Sequence, residues 1–265
     1  DCHGDFGRFE QERFPAQRDM DREDFVIVCG DFGGVWSPGE ESDDEREKLD
    51  ELNGKNYTTL FVDGNHENFD RLYEYPEEEW RGGRIHRVRE NVLHLCRGYV
   101  FELAGNRIFC MGGASSRDRR GVILDAQAPG FEEQLIKARA QSLTVRIRHL
   151  SWWEEELPNA EEYARAGRNL SETEKYTDND GYDIDYIITH CGATSAICDF
   201  GMKGRFGTDE LTDFLDDLRE KCTYKRWYFG HYHRDMDWDK FSLVFSKVRP
   251  LYDQIIHIYI ENRRV

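Results

Sequence analysis

An α/β fold is predicted by three features of this chain. Short apolar runs rich in β-branched and aromatic residues recur along it, each followed by turn formers; stretches with helical spacing lie between them; and nearly every motif bearing histidine and carboxylate follows such a run. Strand–helix alternation of this kind builds a largely parallel sheet, with active residues in loops at the carboxyl ends of strands. The runs are Phe25–Cys29, Thr58–Val62, Arg107–Met111, Ile184–Ile188 and Arg226–Phe229, with later strands predicted at Phe241–Phe245 and Ile255–Ile260, the last alternating around His257. Thr208–Lys221 carries Leu211, Phe214, Leu215 and Leu218 on one helical face. Ser151-Trp152-Trp153-Glu154 has the Ser-x-x-Glu form of a capping box and predicts a helix ended by Pro158. Gly112 to Asp183 departs from simple alternation and reads as an elaboration beside the site, within one domain spanning residues 1–265.

The formal charge of -17 argues against broad, backbone-led binding to nucleic acid, which needs a basic face. Much of the acidity falls in Glu40–Glu51 and Glu154–Glu162, which read as solvated helix faces. No apolar run approaches the length of a membrane span. Seven cysteines, with no CxxC pair and no regular spacing, predict a reduced, cytoplasmic protein rather than a disulfide framework. Cys29 and Cys110 lie inside strand-like runs as small buried hydrophobes, and Cys2 and Cys191, beside motif residues, are read as non-ligands because strand neighbours point to opposite faces.

The motifs, in order, are Asp1-Cys2-His3-Gly4-Asp5, Gly30-Asp31-Phe32-Gly33-Gly34, Gly64-Asn65-His66-Glu67, Thr189-His190-Cys191 and Gly230-His231-Tyr232-His233. Two carboxylates, one carboxamide and four imidazoles exceed the needs of one divalent ion and suit two ions that share a carboxylate. Over Asp1 to His233 the chain resembles the calcineurin-like metallophosphoesterases. That resemblance implies two mixed β-sheets packed as a sandwich with helices outside. It also implies that Asp31 bridges two ions, that Asp1, His3 and His233 complete one site, and that Asn65, His190 and His231 complete the other. An oxygen and imidazole donor set favours Mn, Fe or Zn. His66 is implied to assist the leaving oxygen while hydroxide held by the metals attacks phosphorus.

Asp5 and Glu67 are candidates either to fix histidine orientation or to serve as plain turn carboxylates. Arg117, Lys203 and Arg205 are candidates for substrate contact. His86, His94, His149 and His257 lie outside every motif and receive no role, and Trp152-Trp153 reads as a packing anchor. The second motif lacks the Gly-Asp-x-x-Asp-Arg continuation of the protein Ser/Thr phosphatases, having Gly34 and Val35 there, which points away from phosphoprotein substrates. The expected activity is hydrolysis of a small phosphomonoester or phosphodiester; the rival readings are a catalytically silent scaffold for a protein partner and a nuclease of the same fold. No strand-like run precedes Asp1 although one precedes the other motifs, so upstream residues are expected in the native chain.

Overall fold

The computed structural model describes residues 1–116, 121–173, 181–201 and 207–251. Strand β1 (Phe25–Cys29) leads through helix α1 (Asp43–Asn53) to β2 (Thr58–Val62), and after the short α2 (Phe69–Leu72) come β3 (Glu77–Trp80), β4 (Gly83–Arg89) and β5 (Val92–Leu95). They form one sheet in the order β1-β2-β5-β4-β3, parallel from β1 to β5 and antiparallel beyond. The chain then enters β6 (Tyr99–Leu103) and β7 (Asn106–Met111), followed by β8 (Gly121–Leu124), α3 (Phe131–Ala140), β9 (Thr144–Ile147) and α4 (Ala160–Ser171). The remaining elements are β10 (Tyr182–Asp183), β11 (Tyr186–Thr189), α5 (Thr194–Asp199), α6 (Glu210–Lys221), β12 (Cys222–Thr223), β13 (Arg226–Phe229), β14 (Met236–Trp238) and β15 (Phe241–Leu243). The second sheet runs β14-β15-β13-β11-β7-β6, with parallel strands at its centre and an antiparallel strand at each edge. Two small parallel pairs, β8 with β9 and β10 with β12, lie apart from both sheets.

Strand alternation divides the apolar residues into three layers. Leu60, Val62, Leu93 and Leu95 of the first sheet meet Ile108, Cys110, Tyr186, Ile188 and Tyr228 of the second, so the two sheets pack face to face. The alternate residues Val26, Val28, Phe61 and Val92 turn outward under Leu49 and Leu52 of α1. On the far side, Phe109, Ile187, Trp227 and Phe229 turn outward under Ala166 and Leu170 of α4 and Leu211, Leu215 and Leu218 of α6. The result is the sandwich of two mixed sheets flanked by helices, rather than the single largely parallel sheet that alternation alone suggests.

Several local expectations are corrected. Ser151 does not cap a helix: its Oγ accepts the Ile147 N–H, only a 3-10 turn forms at Glu154–Glu156, and the helix starts after Pro158 with Asn159 as its cap. A competing hydrogen bond from β9 takes the cap. The acidic runs are not wholly solvated. Glu45 is buried and takes both carboxylate oxygens to Arg71, and Glu156 is buried against Ser116. The predicted strand Ile255–Ile260, with His257, lies outside the described residues, as does most of the polar stretch before Gly181. Cys29 and Cys110 are buried, as expected for small apolar residues.

The crossover between the sheets is locked by charge. Arg97, between β5 and β6, sends Nε and Nη2 to the Asp63 carboxylate at the end of β2, Nη1 to Glu162 and Nη2 to the Glu155 carbonyl. The Asp63 carbonyl accepts the Gly113 N–H beyond β7, so one residue ties both sheets together. Burial alone would raise the Asp63 carboxyl, but Arg97 and His94 more than offset it and hold it well below the usual carboxylate range. A depressed carboxyl contributes stability that is present above its unfolded value and is lost only as pH falls through the folded one, so this clamp persists into acid. Asp63→Asn leaves the buried Arg97 guanidinium with only the more exposed Glu162 as counter-charge, and the expected loss is about 3 kcal/mol, read as a lower urea midpoint.

Candidate metal centre

The parallel strands of both sheets point their carboxyl ends to one edge, where every motif loop lies. Gly30 and Asp31 follow β1, Gly64 to Glu67 follow β2, His190 follows β11 and Gly230 to His233 follow β13. The first motif follows no strand, yet it is fixed: the Cys2 and His3 N–H groups both donate to the Asp31 carbonyl, and Gly4 N–H donates to the Phe32 carbonyl. Asp1 is buried, and its carboxylate accepts the His231 N–H.

Backbone strain concentrates here. His3, Asp31, His231 and His233 all adopt left-handed conformations, with φ of 49°, 47°, 66° and 49°. Such conformations cost a non-glycine residue roughly 1–3 kcal/mol each and persist where surrounding structure over-determines them, commonly at functional sites. Close packing enforces them. A Cβ on Gly64 would lie 2.1 Å from Asp31 Oδ1, and one on Gly30 would lie 2.2 Å from His190 Nδ1.

Two clusters of ligand-type atoms converge, each within 4.8 Å: Asp1, His3, Asp31 and His233, and Asp31, His190 and His231. Asp31 belongs to both. Its Oδ2 lies 3.5 Å from His3 Nε2, and its Oδ1 lies 3.3 Å from His190 Nε2. The Asn65 carboxamide oxygen joins the second cluster, 3.2 Å from His190 Nε2. The tautomer of His190 is set by its neighbour: Nδ1 is 2.8 Å from the Cys29 carbonyl, which can only accept, so Nδ1 carries the proton. Nε2 then presents a lone pair to the Asp31 and Asn65 oxygens, acceptor facing acceptors. His3 and His233 bring their Nε2 atoms to 3.2 Å of each other beside the same carboxylate, and when both rings carry their proton on Nδ1 the two Nε2 lone pairs are left there. Lone pairs gathered in this way repel one another unless a cation lies among them, and the donor set fits divalent metal.

The electrostatics agree. Burial lowers His3 to about 4 and His231 to about 3, and it lowers His233, so these imidazoles are neutral and ready to donate at neutral pH. Burial would raise the Asp31 carboxyl, but the fields of His190, His66 and His3, exerted when those rings carry a proton, more than offset it, and the net shift is downward.

His66 stands apart from both clusters. Its backbone N–H donates to Asp31 Oδ1 at 2.8 Å, while its ring meets His3 edge-on at 5.1 Å and Trp36 at 6.0 Å. Burial lowers its affinity for a proton, and nearby Arg146 lowers it further. A cavity of about 310 Å³ opens from His3 and His66 past Trp36 toward Ser42 and Lys48.

Glu67 does not orient a histidine: it is fully buried and accepts the Phe32 and Gly33 N–H groups, shaping the turn that carries Asp31. Burial pushes its carboxyl up to about 8. Asp5 closes a turn by accepting the Gly7 N–H, which is the plain reading of that residue. Arg117, Lys203 and Arg205 lie outside the described residues. Cys2 and Cys191 are buried among apolar side chains and belong to neither cluster. Sequence reasoning missed Arg146, which sits half-buried in β9 with its Nε shielded from solvent and unpartnered among the described residues. It also missed Glu156, pushed up to about 7 by burial and subject to the field of Arg146. Neither has a motif around it: Arg146 is carried by β9, and Glu156 by the 3-10 turn that Ser116 binds.

A family model described as calcineurin-like phosphoesterase matches residues 1–235. No curated protein matches the chain. A solved structure, phosphopantetheinyl hydrolase from Mycobacterium tuberculosis, is similar with 14% identity and a TM-score of 0.34, over 90% of this chain and 86% of that one. No described helix is long and apolar enough to cross a membrane.

Gly64→Ala tests the packing of the centre directly. The added methyl needs the space of Asp31 Oδ1, so the carboxylate must turn out of both clusters; the expected outcome is loss of bound divalent metal, read by elemental analysis of the folded variant.

Proposed function

Since the chain belongs to the calcineurin-like phosphoesterase family, we propose that it hydrolyses the ester bond of a small phosphorylated substrate at a centre of two divalent cations. The observation that carries this reading is Asp31, whose two oxygens face two separate nitrogen clusters. Asp1, His3 and His233 would hold one ion with Asp31, and Asn65, His190 and His231 the other. Imidazole and oxygen donors without thiolate favour Mn, Fe or Zn. Such ions, when bound, polarise phosphoryl oxygens and acidify water.

The remaining work falls to the chain's own residues. His66 belongs to neither ligand set and borders the cavity, so its imidazole is placed to pass a proton to the departing ester oxygen. Burial leaves that ring neutral before substrate arrives, and the negative charge of a bound phosphate favours its protonated form. Arg146 supplies a positive charge near His66, and that charge favours an anionic substrate beside the ring. Trp36 offers an apolar wall for the organic part of the substrate. Glu67 acts at one remove, holding the Phe32–Gly33 turn so that Asp31 keeps its position.

Separating these roles tests the reading. Asp31→Asn should empty both sites, since one carboxylate serves two ions. His66→Asn should retain two metals yet turn over esters of poor leaving groups about 10²–10⁴-fold more slowly, the range for general acid catalysis. The penalty should shrink for nitrophenyl esters, whose leaving group needs little protonation. Loss of metal from His66→Asn equal to that from Asp31→Asn would overturn the assignment. Arg146→Ala should retain both metals and raise KM for substrate, measured across a panel of aryl monoesters, aryl diesters, cyclic nucleotides and dinucleoside polyphosphates. Failure of the reconstituted protein to hydrolyse any of these would count against the proposal.

A further inference from the structure

A third group of ligand-type atoms lies outside the centre described above. His86 in β4 and His94 in β5 are directly opposed across the antiparallel pair, and Cys96 follows His94 by two residues, on the same face of the sheet. One ligand-type atom of each residue falls within 4.8 Å of the other two. The two Nδ1 atoms are 3.0 Å apart, and Sγ is 3.6 Å from the His86 Nδ1. Around a tetrahedral ion with usual Zn–N and Zn–S lengths, donor atoms sit about 3.3–3.6 Å apart, so the trio has nearly the required spacing.

The surroundings add an independent argument. His94 Nε2 lies 3.0 Å from Asp63 Oδ1, and that carboxylate is held ionised by Arg97, so Nε2 carries the proton and Nδ1 presents a lone pair to the other two donors. A carboxylate behind the distal nitrogen of a histidine is the arrangement that orients metal-ligating imidazoles. His86 is held neutral, pushed down to about 4 by burial and by His94, so it too can offer a lone pair. All three residues are buried, but His86 and Cys96 keep 8% and 7% exposure, enough to leave a route from solvent.

We propose that His86, His94 and Cys96 form a binding site for a borderline transition-metal cation of the zinc class, distinct from the centre around Asp31. As the metal–sulfur bond forms, the Cys96 thiol releases its proton to solvent, and His86 binds in the tautomer that carries its proton on Nε2. Two imidazoles and one thiolate leave a fourth position for water or an external ligand. The sulfur selects against Mg and Ca, which take oxygen donors.

Cobalt(II) reads this site separately, because no proposed ligand of the Asp31 centre is a thiolate. The apoprotein, kept reduced by a phosphine, should develop a thiolate-to-cobalt charge-transfer band in the near ultraviolet whose final amplitude corresponds to one cobalt–thiolate bond per chain. The band should persist in Asp31→Asn and vanish in Cys96→Ser, and zinc should displace it. Zinc should also protect Cys96 of the wild-type protein from alkylation, followed by peptide mass mapping, a measurement that needs no variant to fold. No band in the wild type, a band unchanged in Cys96→Ser, or alkylation of Cys96 unaffected by zinc would overturn the proposal and leave the trio as a hydrogen-bonded chain from Asp63 to His86.

Discussion

A carboxylate taken out of water must find partners for its charge, and in this molecule Asp31 finds them on every side. Its oxygens face His3 and His190 and accept the His66 N–H, while its own carbonyl receives the Cys2 and His3 N–H groups. The first motif and the loops after β2 and β11 are thereby referred to one residue. The strand ends supply the framework, but they converge usefully only because Asp31 is ionised and immovable, set in a left-handed conformation beneath which Gly64 leaves no spare room. Burial and neighbouring imidazoles act against each other on that carboxyl, and the imidazoles win.

Asp63, at the end of the neighbouring strand, has the complementary role. It satisfies Arg97 at the crossover and anchors Gly113 beyond β7, and it backs His94. The same buried charge that joins the sheets therefore orients an imidazole in the β4–β5 cluster. Breaking it would disturb packing and that cluster together, so the two effects have to be separated by variants of His86 or Cys96 rather than of Asp63.

The architecture and the seven ligand-type residues were legible because nearly every motif stands in a fixed relation to a strand: periodicity marks the strand, and the turn after it marks the residue. The sandwich of two sheets was not legible from alternation, since one long parallel sheet and two stacked ones share local periodicity; only the resemblance implied it. Ser151 misled because a local capping pattern cannot reveal that Ile147 N–H claims the same oxygen. Glu45 and Glu156 were misread as solvated because a charge run does not show which single member turns inward to Arg71 or Ser116. Arg146, and the pairing of His86 with His94, depend on packing and strand register, which no short motif encodes.

Gly30 and Gly64 leave the centre resting on bare backbone, with His190 and Asp31 pressed against it. A floor of that kind has no side chain to exchange and so no vocabulary for choosing among substrates. On the proposed function, choice falls to the rim, where Trp36, Ser42 and Lys48 line the cavity. The rim can be rewritten while the floor stays untouched. On that reading bond breaking and selectivity are carried by separable segments of the chain, and redirecting the site to a different ester means changing the cavity wall from Trp36 to Lys48 rather than the loops that carry the ligand-type residues.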